Sequence, residues 1–182
     1  MQSQPMRNYK FETGVYRPPS EGGSYSLLVR FTRNCPWNHC TFCGMYKTKR
    51  FQVRGFKEIK ADIDAMAAIC SDLREMSHHL GHGGSITQKA AVNLIQQVPE
   101  LNCHQGFAMI YHWLLSDAAT AFIQDADSLV MKTDDLVEAL RYLRSTFPSI
   151  SRVTSYARSK TVKQKSLEEL KAIHEAAEGH GL

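Results

Sequence analysis

The run Leu27-Leu28-Val29 is apolar on both faces of an extended strand spanning Tyr25 to Thr32, and three residues beyond that strand the loop Cys35-Pro36-Trp37-Asn38-His39-Cys40-Thr41-Phe42-Cys43 begins. A strand without a polar face needs cover on both sides. That predicts a parallel sheet buried under helices. Thiolate is the ligand that soft metals and iron–sulfur clusters prefer, and one short loop can carry all three thiols to a single point. Three is also one fewer than a closed four-coordinate site requires.

The pattern downstream keeps to the same architecture. Apolar residues recur at Ile59, Ile63, Met66, Cys70 and Leu73, steps of three and four that place one stripe on a helix from Phe56 to about Leu80. Cys70 falls on that stripe and reads as a small buried hydrophobe. His78, His79 and His82, among Gly81, Gly83 and Gly84, read as solvated residues of a glycine-rich helix stop. Helices are expected from Thr87 to Val98, halted by Pro99, and from Phe107 to Leu115, with Cys103 between them as a structural residue.

Thr120–Gln124 reads as a second strand running into the polar turn Asp125-Ala126-Asp127-Ser128. Thr133 is the expected cap of a helix with Asp134 and Asp135 in its first turn and Leu136, Val137, Leu140, Leu143 and Phe147 on its buried face. Ile150 to Tyr156 is the third strand. A polar loop follows, and Ser166-Leu167-Glu168-Glu169 is a capping box opening the last helix.

Strands alternating with helices imply parallel β/α units, in which the loops after the strands gather at one edge of the sheet. The cysteine loop, the Asp125/Asp127 turn and the segment Ser155 to Arg158 all follow strands. In such sheets that edge is where ligands bind.

Composition narrows the partners. The formal net charge of +4, from 22 basic and 18 acidic residues, is mild and spread out, so it points to neither nucleic acid nor a membrane surface. Met1 to Lys10 lacks the apolar core of a secretory signal, and no run is apolar for long enough to span a bilayer. Five cysteines, three of them bunched, make a poor disulfide framework and suit a metal site in a reducing compartment; a cytoplasmic protein is the expectation.

The residues alone leave three metal chemistries open. Zinc would need a fourth ligand from His39, His78, His79 or His82. The C-x4-C-x2-C spacing also occurs in plant-type [2Fe–2S] ferredoxins, with Cys70 as the distant fourth cysteine. A third option is a cluster held by three thiolates with one iron open.

The loop from Cys35 to Cys43, with a strand before it and an aromatic residue immediately before its last cysteine, resembles the cluster loop of the radical S-adenosylmethionine (radical SAM) enzymes. The four residues between Cys35 and Cys40 are one more than in the commonest loop of that superfamily. Tyr16-Arg17-Pro18-Pro19-Ser20, Thr32 to Asn38, Cys40 to Lys47, Phe122 to Leu129 and Arg152 to Arg158 are similar, in that order, to a group of radical SAM proteins described as related to oxygen-independent coproporphyrinogen oxidases. The resemblance covers the chain from about Tyr16.

What the resemblance implies is an α/β fold: an incomplete (β/α) partial TIM barrel of the radical SAM type over 25–182, with about three β/α units and extra helices between strands 1 and 2, after an extended lead-in over 1–24. It implies a [4Fe–4S] cluster on Cys35, Cys40 and Cys43, with S-adenosylmethionine on the open iron and an electron donor, flavodoxin- or ferredoxin-like, as partner. Reductive cleavage of the cofactor would yield a radical that abstracts hydrogen from a substrate. Phe42 would pack near the adenine. Asp125 or Asp127 would meet the cofactor's amino group, and Ser155 and Arg158 its ribose or carboxylate. The family's core holds more β/α units than are read here, so the expectation is a fragment of a longer enzyme. A cluster-binding or electron-transfer module without catalysis and a zinc-stabilised interaction domain are the alternative functions.

Overall fold

The computed structural model describes residues 8–14 and 25–178; Tyr16 to Ser20, the Glu21-Gly22-Gly23-Ser24 loop signal, Gly179 and Gly181 lie outside them. In chain order the elements are β1 (Leu27–Arg30), β2 (Thr32–Arg33), β3 (Gln52–Val53), α1 (Phe56–His79), α2 (Gln88–Gln97), α3 (Gln105–Leu115), β4 (Thr120–Gln124), α4 (Thr133–Thr146), β5 (Arg152–Ser155), α5 (Ser159–Lys163) and α6 (Leu167–Glu178). Short 3-10 turns cover Pro99–Cys103 and Ser128–Val130.

The molecule is mixed α/β, and its main sheet is parallel, in the order β1-β4-β5, as the doubly apolar first strand requires. Leu28 faces Phe122 in the register, and Phe122 faces Thr154. Alternation divides the sheet into two faces. Leu27, Val29, Ala121 and Ile123 enter the large helical core, whereas Leu28 and Phe122 are buried outside it on the other face.

The helices cover the first face. α1 packs on α2 and α4, and α4 packs on α6. The stripe read from α1 is buried throughout: Ile59, Ile63, Met66 and Leu73 are fully enclosed and Cys70 nearly so. Enclosing each large apolar side chain of this kind is worth roughly 1.5–3 kcal/mol, which holds a 24-residue helix whose mean polarity alone would not. Trp113 is enclosed as well; its indole N–H donates to the Thr120 carbonyl at 2.9 Å, and its ring meets Phe147 edge-on.

Several boundaries differ from the pattern. The first strand does not run through to Thr32: Phe31 still donates to the Gln124 carbonyl at 2.8 Å, and the chain then leaves the sheet to pair β2 antiparallel with β3. The expected polar loop after β5 contains α5. Thr133 is not a cap. It lies inside α4, where Lys132 holds the cap position, and its hydroxyl is engaged by Glu169 and by the Lys165 ammonium at 3.0 Å, so tertiary partners outcompete local capping. Thr87 does cap α2, accepting from the Ala90 N–H at 3.2 Å, and Ser166 with Glu169 forms the capping box at α6. Among the described residues no helix is long and apolar enough to cross a membrane.

Candidate metal and cofactor site

Beyond β1 the chain turns away from the sheet at Asn34 and again at Asn38, both with left-handed backbone (φ 68° and 50°). Asparagine tolerates that region better than most side chains, and each of these also anchors the loop. The Asn34 side-chain amide donates to the Arg50 carbonyl at 2.6 Å and that of Asn38 to the Tyr46 carbonyl at 2.5 Å, while the Lys47 ammonium reaches the Asn38 carbonyl at 3.0 Å. These bonds fold the cysteine loop back on the segment that follows it.

Cys35, Cys40 and Cys43 are free thiols and partly exposed. The Asn38 N–H lies 3.5 Å from the Cys35 sulfur, and the Cys43 N–H donates to the Cys40 carbonyl at 3.3 Å, closing a tight turn around the second and third cysteines. Among the described residues no group of three or more His, Cys, Asp or Glu stands close enough together to hold a metal ion. The donor set nevertheless fits a soft metal in its chemistry, since three uncommitted thiols share one loop with no carboxylate among them.

The other candidates divide into those brought to this loop and those held elsewhere. Asp125, joined to Gln124 by a cis peptide, is 4% exposed, and its Oδ2 accepts from Arg30 Nη2 at 2.7 Å, Arg30 Nε at 3.1 Å and the Asn34 N–H at 2.7 Å. Asp127 is fully enclosed but turns away: Oδ2 accepts from the Thr161 hydroxyl at 2.6 Å, and Oδ1 has no partner. Ser155 donates to backbone carbonyls of Ile123 and Tyr156 and lines a separate, mainly apolar cavity of about 310 Å³ between the sheet, α4 and α6. Arg158 does reach the cysteine loop, its guanidinium 4.6 Å from the Trp37 ring centroid. Phe42 is 91% exposed and points to solvent instead of packing on the loop's neighbours.

A cavity of about 280 Å³ opens beside Cys43, on the sheet face opposite the helices. Met45, Tyr46, Phe122 and Tyr156 form most of its wall; Gln124 and Asp125 supply the polar part. Phe122 and Tyr156 meet edge-to-face at 5.3 Å. The Tyr46 phenol is pushed well above the usual tyrosine range, chiefly by burial and then by the Asp125 charge, so it remains a neutral hydrogen-bond donor.

Tyr46, Met45, Arg30 and Gly14 carried no role in the sequence reading. Tyr46 and Met45 had a local signal in their closeness to Cys43, whereas Arg30 and Gly14 reach the site through partners more than 90 residues away. Cys70 is buried in the helical core and Cys103 is exposed rather than packed, so neither stands with the loop. His78, His79 and His82 are exposed at the end of α1. Neither a family model nor a curated protein nor a solved structure matches this chain.

Proposed function

We propose that the chain is a radical SAM iron–sulfur protein, or the part of one that holds the cluster, of the kind related to oxygen-independent coproporphyrinogen oxidases, with a partial-barrel fold of that type. The single observation that carries this reading is the placement of three uncommitted thiols, on a loop at the carboxyl end of a parallel strand, beside a cavity of ligand size that opens at Cys43. Carboxyl ends of parallel strands are where α/β sheets bind their ligands.

In this reading Cys35, Cys40 and Cys43 hold a [4Fe–4S] cluster with the fourth iron left to S-adenosylmethionine. The cluster and cofactor together supply an electron and the hydrogen-abstracting radical it releases. The chain's own residues bind and orient. Tyr46 offers a neutral phenol to the cavity, Gln124 an amide, and Met45, Phe122 and Tyr156 apolar and aromatic surface that excludes water. Arg158, stacked on Trp37, closes the loop from the side of the third strand. Reduction requires a donor protein, flavodoxin- or ferredoxin-like, and a cytoplasmic setting suits exposed thiols that must stay reduced.

Anaerobic reconstitution with iron and sulfide, followed by electron paramagnetic resonance with and without S-adenosylmethionine, tests the proposal. A cluster whose spectrum shifts on adding the cofactor is the expected result. A cluster indifferent to the cofactor would leave an electron-transfer module, and zinc retained through purification with no cluster would leave an interaction domain; either outcome overturns the reading.

A further inference from the structure

We infer that Asp125 is a positioning residue for the cysteine loop, and that Gly14 fixes where its carboxylate stands. The inference deepens the proposed function and rests on it only for the metal readout below.

One oxygen of Asp125 gathers three donors. Arg30 supplies two of them from the end of β1, and the third is the backbone N–H of Asn34, at the point where the chain turns toward Cys35. The Asp125 N–H returns a bond to the Thr32 hydroxyl at 3.3 Å. A buried carboxylate with charge-assisted partners makes bonds about twice as strong as neutral ones, so this contact dominates the fixing of Asn34. Cys40 and Cys43 are held by their own turn. Cys35, next to Asn34, is the cysteine whose place depends on a residue at the end of the neighbouring strand β4.

The opposite oxygen meets Gly14. A Cβ at position 14 would stand 2.2 Å from Asp125 Oδ1 and 2.8 Å from Gln124 Cδ, closer than any real contact, while the Gly14 N–H donates to Gln124 Oε1 at 2.8 Å. Only glycine lets the segment lie this close. The segment is itself pinned two residues earlier, where Glu12 binds Arg33 and reaches Arg30 at 3.5 Å. Arg30 is thus shared between Asp125 and Glu12. The carboxylate is clamped between the segment and the loop, and displacing it from the Gly14 side moves Asn34 and with it the first cysteine.

Two readouts on the reduced, anaerobic full chain test this. Hydrogen exchange of the peptide containing Asn34 to Cys43 reports loop order without any metal, and the thiolate-to-metal absorption on titration with Co(II) reports how well the three sulfurs can gather. Asp125→Ala and Gly14→Ala should each raise loop exchange by about tenfold or more. They should weaken Co(II) binding by about 10–100-fold, as loss of a residue that orients metal ligands does. Asp125→Asn, whose amide oxygen can still accept from Asn34 but carries no charge for Arg30, should fall between the wild type and Asp125→Ala in both readouts. Thr161→Val, which strips the buried Asp127 of its hydroxyl partner, should lower thermal stability and leave both readouts unchanged. If the wild-type chain takes up no Co(II) but the loop exchanges faster in both variants, the positioning stands and the metal reading falls. Unchanged loop exchange in Asp125→Ala and Gly14→Ala overturns the positioning, whatever the metal does, and so does an equal effect of Thr161→Val.

Discussion

The guanidinium of Arg158 lies over the ring of Trp37, 4.6 Å from its centroid, joining the loop after the first strand to the segment after the third. Trp37 stands between the first two cysteines, so the contact reports directly on the candidate site. A cation over an indole at a half-exposed position contributes about 0.5–1 kcal/mol. Arg158→Ala should lower the melting temperature by no more than about 2–4 °C, the shift expected for a kilocalorie in a chain of this size. The change should be visible in tryptophan emission, because Trp37 is 45% exposed and the only other tryptophan, Trp113, is enclosed. Unaltered Trp37 emission in the variant would remove the contact.

Thiol accessibility separates the five cysteines without assuming any function. Burial pushes the Cys70 thiol up to about 12, so it stays protonated and out of reach. Alkylation of the native chain at pH 8, read by mass spectrometry, should modify Cys35, Cys40, Cys43 and exposed Cys103 and spare Cys70 until the chain unfolds. After reconstitution with iron and sulfide only Cys103 should remain reactive. Native labelling of Cys70 that disappears on reconstitution would instead make it a ligand and revive the four-cysteine ferredoxin alternative.

The parts of the fold that could be read from the sequence are those set by local periodicity. The α1 stripe from Ile59 to Leu73 repeats over about four turns, β4 is apolar at its centre from Ala121 to Ile123, and Ser166 with Glu169 needs only a three-residue spacing. The two-residue strands β2 and β3 are too short to carry a period, and α5 is a single turn within a polar run. At the site, the cysteine loop was legible because ligand chemistry is written in residue type. The partners of Asp125 and Asp127 were not, because two carboxylates in one turn look alike until the fold sends one toward Asn34 and the other toward Thr161. Nothing local distinguishes Gly14 from any other glycine; its requirement comes from a carboxylate 111 residues later.

The ionic cluster beneath the loop makes stability fall in acid. Hydrogen bonding to Arg33 holds the carboxyls of Glu12 and Glu58 below the usual glutamate range. Groups depressed in the folded state contribute fully above the unfolded value, about 4.3, and the contribution is lost as pH falls through the folded value. Glu12→Gln should therefore reduce stability at pH 7 and flatten its dependence below about pH 4.3, measured by urea unfolding across that window. Both carboxylates are substantially exposed, so the effect is that of a screened pair and not of a buried one. The buried pair in the same cluster, Arg54 with Asp62 at 2.6 Å, behaves differently: Asp62→Ala takes the nearest carboxylate from a guanidinium that is 2% exposed and leaves it the Arg30 carbonyl at 2.6 Å and Glu12 at 3.9 Å, so the loss should stay below the about 3–5 kcal/mol of a fully unpaired buried charge.

Tyr46 sets the alkaline limit. Its folded-state pKa is raised by burial and by the Asp125 charge, whereas the unfolded chain ionises at about 10. The folded state therefore keeps a proton that the unfolded state gives up, and the stability tied to this residue is intact below pH 10 and declines as pH rises beyond it. Phenolate absorbance at high pH should include a step that appears only together with unfolding. Tyr46→Phe should abolish that step and make the chain less sensitive to pH above 10, while its fold at neutral pH is retained because the ring still fills the same wall of the cavity. If the phenylalanine variant shows the same alkaline decline as the wild type, the phenol at Cys43 is not shielded, and its role as a neutral donor to the cavity fails with it.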